Sequence, residues 1–329
     1  KLPAIIQNIT QTILDFGGEV HFNSKLTDIT IQDNTIHSIV INGESNFNVN
    51  VLVLATGHSA RDIFHLLNAK KVKMTFKPFA LGIRVEHQQS LIDKIQYNQE
   101  IRSEFLPPSS YGLVHNNGER SVYSFCMCPG GIIAPCATEN GEVVTNGWSP
   151  SKRNNPYANS GIVVEVKWED LTKYHSFGAL AGMMFQQEIE QKCFKMGGGN
   201  QKVPAQRMVD FLNNKTSSSL EQTSYQPGLK SVNLNDLFPS FIARTLQEGF
   251  QHFNRKMKGF ITNEAILHAT ESRTSSPIRI PRNEQLQHPE VSGLFPCGEG
   301  AGYAGGIVSA AIDGVKCVYA YSENKNSNK

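Results

Sequence analysis

The chain has 329 residues, 39% of them hydrophobic and 18% charged, with a formal net charge of +2. That is long enough to bury real cores in an ordinary globular protein. The absence of any long Lys/Arg run excludes a nucleic-acid partner held by bulk electrostatics, and no apolar run approaches the roughly 20 residues that span a bilayer.

Ile5, Ile6, Ile9, Ile13 and Leu14 recur at helical spacing, which predicts an amphipathic helix over 3–16, ended by Gly17-Gly18. Residues 19–22 read as a strand. Three β-prone runs follow, over 25–32, 35–42 and 47–54, separated by Asp33-Asn34 and Asn42-Gly43-Glu44, which is hairpin chemistry. The run 51–54 is apolar throughout, so it reads as a strand covered on both faces. It enters Ala55-Thr56-Gly57, a small-residue turn at the C-terminal end of a strand, where open α/β sheets bind ligands. Residues 58–70 predict a helix with Ile63, Leu66 and Leu67 inward. From Phe76-Lys77-Pro78 to about residue 265 the pattern is mixed. Strands are expected over 81–86 and 161–168. Helices are expected over 178–195, 205–212 and 238–257, and a surface loop over 213–228. Strands over 265–270 and 276–280, a short strand near 293–297, a helix over 307–321 and a frayed tail over 324–329 complete the reading.

The densest local signal is Cys297-Gly298-Glu299-Gly300-Ala301-Gly302-Tyr303-Ala304-Gly305-Gly306-Ile307. Glycines between a strand and a helix allow positive φ and close approach of backbone to a ligand. The helix then presents free N–H groups and a positive dipole end, suited to an anion or a carbonyl oxygen. Glu299 is placed to accept hydrogen bonds from ribityl or ribose hydroxyls.

Cys126-Met127-Cys128 leaves three readings open: a wall of the substrate site, a structural element, or thiol chemistry. Metal binding needs two more ligands, and no second Cys/His pair has suitable spacing. Arg273 is expected to hold an anionic substrate group, with a solvated turn as the alternative. Arg84 and Glu86 share one strand face, as an internal ion pair or as catalytic groups. Lone histidines such as His58 and His268 read as structural. The six cysteines are too sparse for a disulfide scaffold and read as free thiols of a reducing cytoplasm.

The glycine turn resembles the second FAD-binding motif of the glutathione-reductase-like flavoproteins. The whole chain is similar to a bacterial family of FAD-dependent dehydrogenases of the NAD/FAD-utilising type. The markers are Leu54 to Asp62, Phe125-Cys126-Met127-Cys128-Pro129-Gly130-Gly131, Ala205-Gln206-Arg207, Glu271 to Pro277 and the glycine turn.

The resemblance implies an α/β fold: a partial three-layer FAD/NAD(P)-binding domain over 1–75 and 271–329, with an inserted α+β substrate domain over 76–270. It implies FAD as cofactor and NAD(P)H as reductant, with hydride passing between a small-molecule substrate and flavin N5. Leu26, Ala55, Thr56, Gly57, Gly298, Glu299, Gly300, Gly302, Gly305, Gly306 and Ile307 are the implied cofactor residues. Cys126, Cys128 and Arg273 are the candidate catalytic ones. A flavin-binding scaffold or redox sensor without turnover is the alternative, as is an RNA-modifying flavoprotein, against which the charge of +2 stands. The family's Gly-x-Gly-x-x-Gly turn is not found before residue 57, so the chain by itself is expected to carry little FAD and to be oligomeric or rearranged where the run 51–54 lacks cover.

Overall fold

The computed structural model describes residues 2–327; Lys1 and residues 328 and 329 lie outside the described residues. Helix α1 spans Leu2–Asp15, yet none of its residues is buried, and Ile5, Ile6, Ile9, Ile13 and Leu14 are all exposed. The strand expected over 19–22 does not form. Those residues are turn and irregular backbone, and no described strand pairs with them to satisfy a ladder.

The meander does form: β1 (Leu26–Gln32), β2 (Thr35–Ile41) and β3 (Ser45–Asn48) pair in that order. Asp33, Asn34, Asn42 and Gly43 take the positive φ that tight hairpins require. The expectation of a doubly covered strand over 51–54 is corrected. Only Leu52–Leu54 is strand (β4); Leu54 is buried but Val53, which points to the opposite face, is exposed, so only one face is covered. Helix α2 (Arg61–Ala69) follows and turns Ile63, Phe64 and Leu67 into the interior.

After β5 (Thr75–Phe76) come β6 (Phe79–Gln88), α3 (Gln89–Tyr97), β7 (Val114–Asn116), β8 (Ser121–Cys128), β9 (Ile132–Pro135), β10 (Thr145–Trp148) and β11 (Tyr157–Val166). A 3-10 stretch, Trp168–Leu180, leads to α4 (Ala181–Gly197), then β12 (Val203–Arg207), α5 (Met208–Leu212), β13 (Leu229–Ser231), α6 (Leu234–Leu237), α7 (Ser240–Lys256) and β14 (Ile266–Glu271). The single helix read over 205–212 is therefore wrong in its first half. Val203–Arg207 fills the gap between β13 and β14, and ladder bonds there outweigh local helix preference.

These strands build one seven-stranded mixed sheet, ordered β13-β12-β14-β6-β11-β8-β7, in which only the β12–β13 pairing is parallel. Both faces of β6 are buried. Leu81 and Ile83 pair with Val164 and Ile162, and Val164 pairs in turn with Val122, on the face covered by α7, where Gly249 fits against Val122. The other face carries Gly82, Arg84 and Glu86. The β9–β10 hairpin lies over it, with Gly147 directly above Arg84 and Asn159. The 213–228 loop also crosses it: Ser224 and Tyr225 are buried, and Ser224 donates to Glu86 through its backbone N–H and its hydroxyl. The segment is a loop, but not merely a surface one.

A second core joins Ile29, Ile36, Leu54, Ile63, Phe64 and Leu67 to Met183, Ile278 and Leu294. The strand expected over 276–280 shortens to β15 (Ile278–Arg279), paired with β5. Strand β16 (Leu294–Pro296) runs parallel to β4, with Leu294 beside Leu52 and Pro296 beside Leu54. Helix α8 runs over Ile307–Ser327, so the tail expected to fray from residue 324 stays helical through Ser327. No described helix is long and apolar enough to cross a membrane.

Phe250 lies at 0% exposure between Phe211 and Phe260, with ring centroids at 6.2 and 6.4 Å. Phe250→Ala should cost about 3–5 kcal/mol of unfolding free energy through lost burial and the cavity left behind, measured by denaturant titration. A cost under about 1 kcal/mol would show that this side chain does not anchor α7 to the sheet.

Candidate functional site

Parallel pairing of β4 with β16 brings their two following turns side by side. A β-carbon on Gly300 would lie 2.5 Å from the Gly57 carbonyl oxygen, so only glycine permits the contact. Gly57, Gly298 and Gly302 have φ of 76°, 71° and 85°, the left-handed region that favours glycine. The Gly298 N–H donates to Asp313 of α8 at 2.7 Å. Arg282 forks onto the same carboxylate, at 2.9 Å from Nη1 to Oδ2, and its guanidinium lies 3.7 Å from the centroid of the Tyr303 ring. Desolvation pushes the Asp313 carboxyl up, but donation from Arg282 and Gly298 outweighs it and holds the group below the ordinary carboxylate range.

Of the residues expected to hold a cofactor, Gly57, Gly298, Glu299, Gly300 and Gly302 converge here, with Ala55 and Thr56 exposed on the β4 side. Gly305, Gly306 and Ile307 form the exposed start of α8, and no protein atom lies within 4 Å of a β-carbon placed on Gly305. Leu26 begins β1, with its side chain partly buried against the meander core.

Two groups escaped the sequence reading. His58, taken as structural, follows Gly57 directly and brings Nε2 to 4.0 Å from the Glu299 carboxylate. Burial pushes its pKa down against the pull of Glu299, so the ring tends to neutrality. Lys77 lays its side-chain stem along Gly302. Burial and then the like charge of Arg279 lower its pKa, and its ammonium forms no hydrogen bond or ion pair among the described residues. The sequence signals were positional only: a histidine on the small-residue turn, and a lysine at the change of texture.

Beside this crevice lies a four-charge cluster. Arg61, at the start of α2, donates to Glu142 and Glu190 at 2.6 Å each. Arg273 donates to Glu190 at 3.0 and 3.1 Å, to Glu142 at 3.2 Å and to Thr138 at 2.6 Å. Arg273 was a candidate for holding a substrate anion; here its charge is already matched by two buried carboxylates. Burial opposes ionisation of both acids. The two arginines nonetheless hold Glu190 below its ordinary range, while burial and the neighbouring Glu190 push Glu142 up.

Cys126 and Cys128 end β8, and no described hydrogen bond or ion pair ties them to the glycine turn. Arg84, fully buried, pairs with Glu271 at 2.8 Å, so the expected Arg84–Glu86 pair does not form. Its Nη1 also donates to the Cys126 carbonyl oxygen at 3.2 Å and to Asn159 at 2.6 Å. All six cysteines are free. Cys297, Asp313 and Cys317 hold their ligand atoms within 4.8 Å of one another, but Arg282 already supplies the cation there, 3.7 Å from the Cys317 sulfur. An open cleft of about 490 Å³ lies elsewhere, lined by Gln89, Asp93, Arg102 and Arg153. No glycine lines it, so the touching turns, with their close backbone approach, are the better candidate.

Residues 78–274 match the family described as FAD-dependent protein, C-terminal domain-like. An uncharacterised protein of Clostridium beijerinckii is 43% identical over 319 residues, 96% of this chain and 59% of the relative. The chain thus spans about three-fifths of the length of the relative it matches.

Because Glu190 is ionised against Arg61 and Arg273, its contribution to stability is present above the ordinary glutamate range and is lost as pH falls through its lowered pKa. Glu190→Gln should cost about 3–5 kcal/mol at neutral pH and less in acid, where the native protein has lost that contribution too. Denaturation at the two pH values checks this, and equal costs at both would contradict it.

Proposed function

The chain belongs to the FAD-dependent protein, C-terminal domain-like family, and on that footing we propose that it forms the greater part of a flavin-dependent oxidoreductase. The reading assigns 1–75 and 271–329 to the cofactor-binding unit and 76–270 to a substrate domain. One observation carries it: the contact of Gly300 with Gly57, which sets the small-residue turn after β4 against the glycine-rich turn after β16, with an open helix N-terminus beside them.

The residues present fit FAD. The Gly298 to Gly302 backbone gives the close approach that a planar ring and its ribityl chain need. Glu299, partly accessible, would accept from a ribityl hydroxyl, with the His58 ring 4.0 Å from its carboxylate. The first free N–H groups of α8, at Gly305 to Ile307, would stabilise negative charge on a bound ring. Lys77 adds a cation without a partner of its own at the same crevice. When bound, FAD supplies the hydride acceptor and donor at N5; the protein supplies position and electrostatics. NAD(P)H is the proposed reductant and a small molecule the proposed substrate.

In the full-length protein, Gly305→Val should lose flavin while keeping its fold, because the added carbons meet no protein atom within 4 Å of the first of them. Flavin absorbance per chain, alongside circular dichroism, is the measurement. Full occupancy in a folded variant would remove the glycine turn from the cofactor site.

Lys77→Gln should keep FAD but lower its midpoint potential, since a cation beside the ring favours the reduced, anionic form. Redox titration against a reference dye reads the shift. An unchanged potential would place Lys77 away from the flavin.

A further inference from the structure

The end of β8 is built in an unusual way. Its register against β11 runs from Phe125 opposite Gly161 to Cys128 opposite Asn159, so β8 carries one extra residue. This is a β-bulge, which re-aims a side chain. Cys126 takes a φ of 48° within it and is exposed, while Cys128 is buried. The Cys126 carbonyl oxygen accepts from the Cys128 thiol at 3.3 Å and from Arg84 Nη1 at 3.2 Å.

Behind the bulge, donors outnumber acceptors. Arg84 is 0% exposed, yet its Nη2 has no partner, and neither has Asn159 Nδ2. Orphan buried donors are rare and call for a reason. Arg84 already pairs with Glu271, but it also interacts with both sulfurs, so a negative charge on Cys126 would give its guanidinium a second anionic partner.

We propose that Cys126 is an activated nucleophile that opens the S–S bond of a small disulfide, with Cys128 and Arg84 as the residues that position and hold its thiolate. The Cys126 sulfur attacks one sulfur of R–S–S–R; a Cys126–S bond forms, the S–S bond breaks, and the departing RS⁻ takes a proton from water. One disulfide is exchanged for another, so no outside oxidant or reductant enters.

The groups facing Cys126 are Cys128 on its own strand, Arg84 on β6 and Glu271 on β14. Strand β11 and the β9–β10 hairpin bring only uncharged Asn159, Ser160 and Gly147 to this layer. Interaction with the Cys128 side chain, with the Arg84 charge behind it, outweighs desolvation and Glu271 and draws the Cys126 thiol down to about 6. The same interaction, with burial, pushes Cys128 up. A lowered pKa at an exposed position is what makes a cysteine reactive.

The test needs no flavin, so its failure is separate from failure of the flavin reading. The folded protein is treated with hydroxyethyl disulfide, a neutral probe, across a pH series, and adducts are located by peptide mass. One fast adduct at Cys126 is expected, its rate levelling off above a midpoint near pH 6. Cys126→Ser should abolish it. Cys128→Ser should leave Cys126 reactive but move the midpoint up toward that of an ordinary cysteine. Cys136 is only partly exposed, and Cys193, Cys297 and Cys317 are buried, so they should lag. Reaction of Cys126 no faster than in the unfolded chain, a fast adduct on Cys136 instead, or a midpoint unmoved in Cys128→Ser would each overturn the proposal.

Discussion

Gly300 and Gly57 meet through backbone alone. A β-carbon on Gly300 would sit 2.5 Å from the Gly57 carbonyl oxygen, far inside van der Waals contact, so any side chain there wedges the two turns apart. The contact demands the parallel pairing of β4 with β16, because only that pairing ends both strands at one level. It also fixes the left-handed backbone of Gly298 and Gly302, which Asp313 and Arg282 then brace from α8 and from the segment after β15. His58 and Glu299 approach each other because each directly follows a glycine of one of these touching turns.

The four-charge cluster holds that crevice to the large sheet. Arg61 begins the helix after His58, Glu190 sits in α4, Glu142 precedes β10, and Arg273 follows β14. Buried ions are costly to desolvate, and the attraction between them offsets that cost only when every charge is paired. Two cations shared by two carboxylates meet this condition, and none of the four is free to move alone. Ser272 ties in as well, donating to Glu190 at 2.5 Å. The end of β14 therefore serves two layers: Glu271 pairs with Arg84 beneath the cysteine bulge, and Arg273 reaches the crevice.

Much of the backbone plan was legible from local pattern. The apolar period marked α1, α4, α7 and α8, and Asn and Asp at positive φ marked the hairpins of the meander. The glycine turn stood out by composition, and it is where the two ends of the second core meet. Misreadings came where a neighbour decides the outcome. Val203–Arg207 is strand because β13 and β14 flank it, whereas 19–22 stays irregular because nothing pairs with it. The run 51–54 looked doubly covered, but cover depends on what stacks above it, and Val53 is exposed.

The sequence by itself determined the periodic elements, the tight turns and the glycine-rich segment, since each follows from φ/ψ limits and from the spacing of apolar residues along a few turns of chain. Only the tertiary structure decided which charges meet. Arg84 chose Glu271, 187 positions away, over Glu86 two positions away on its own strand, and Arg61 reached Glu190 across 129 positions. Pairing of buried charges is set by which strands and helices lie side by side, and a distance of 3 Å in space leaves no trace in sequence spacing.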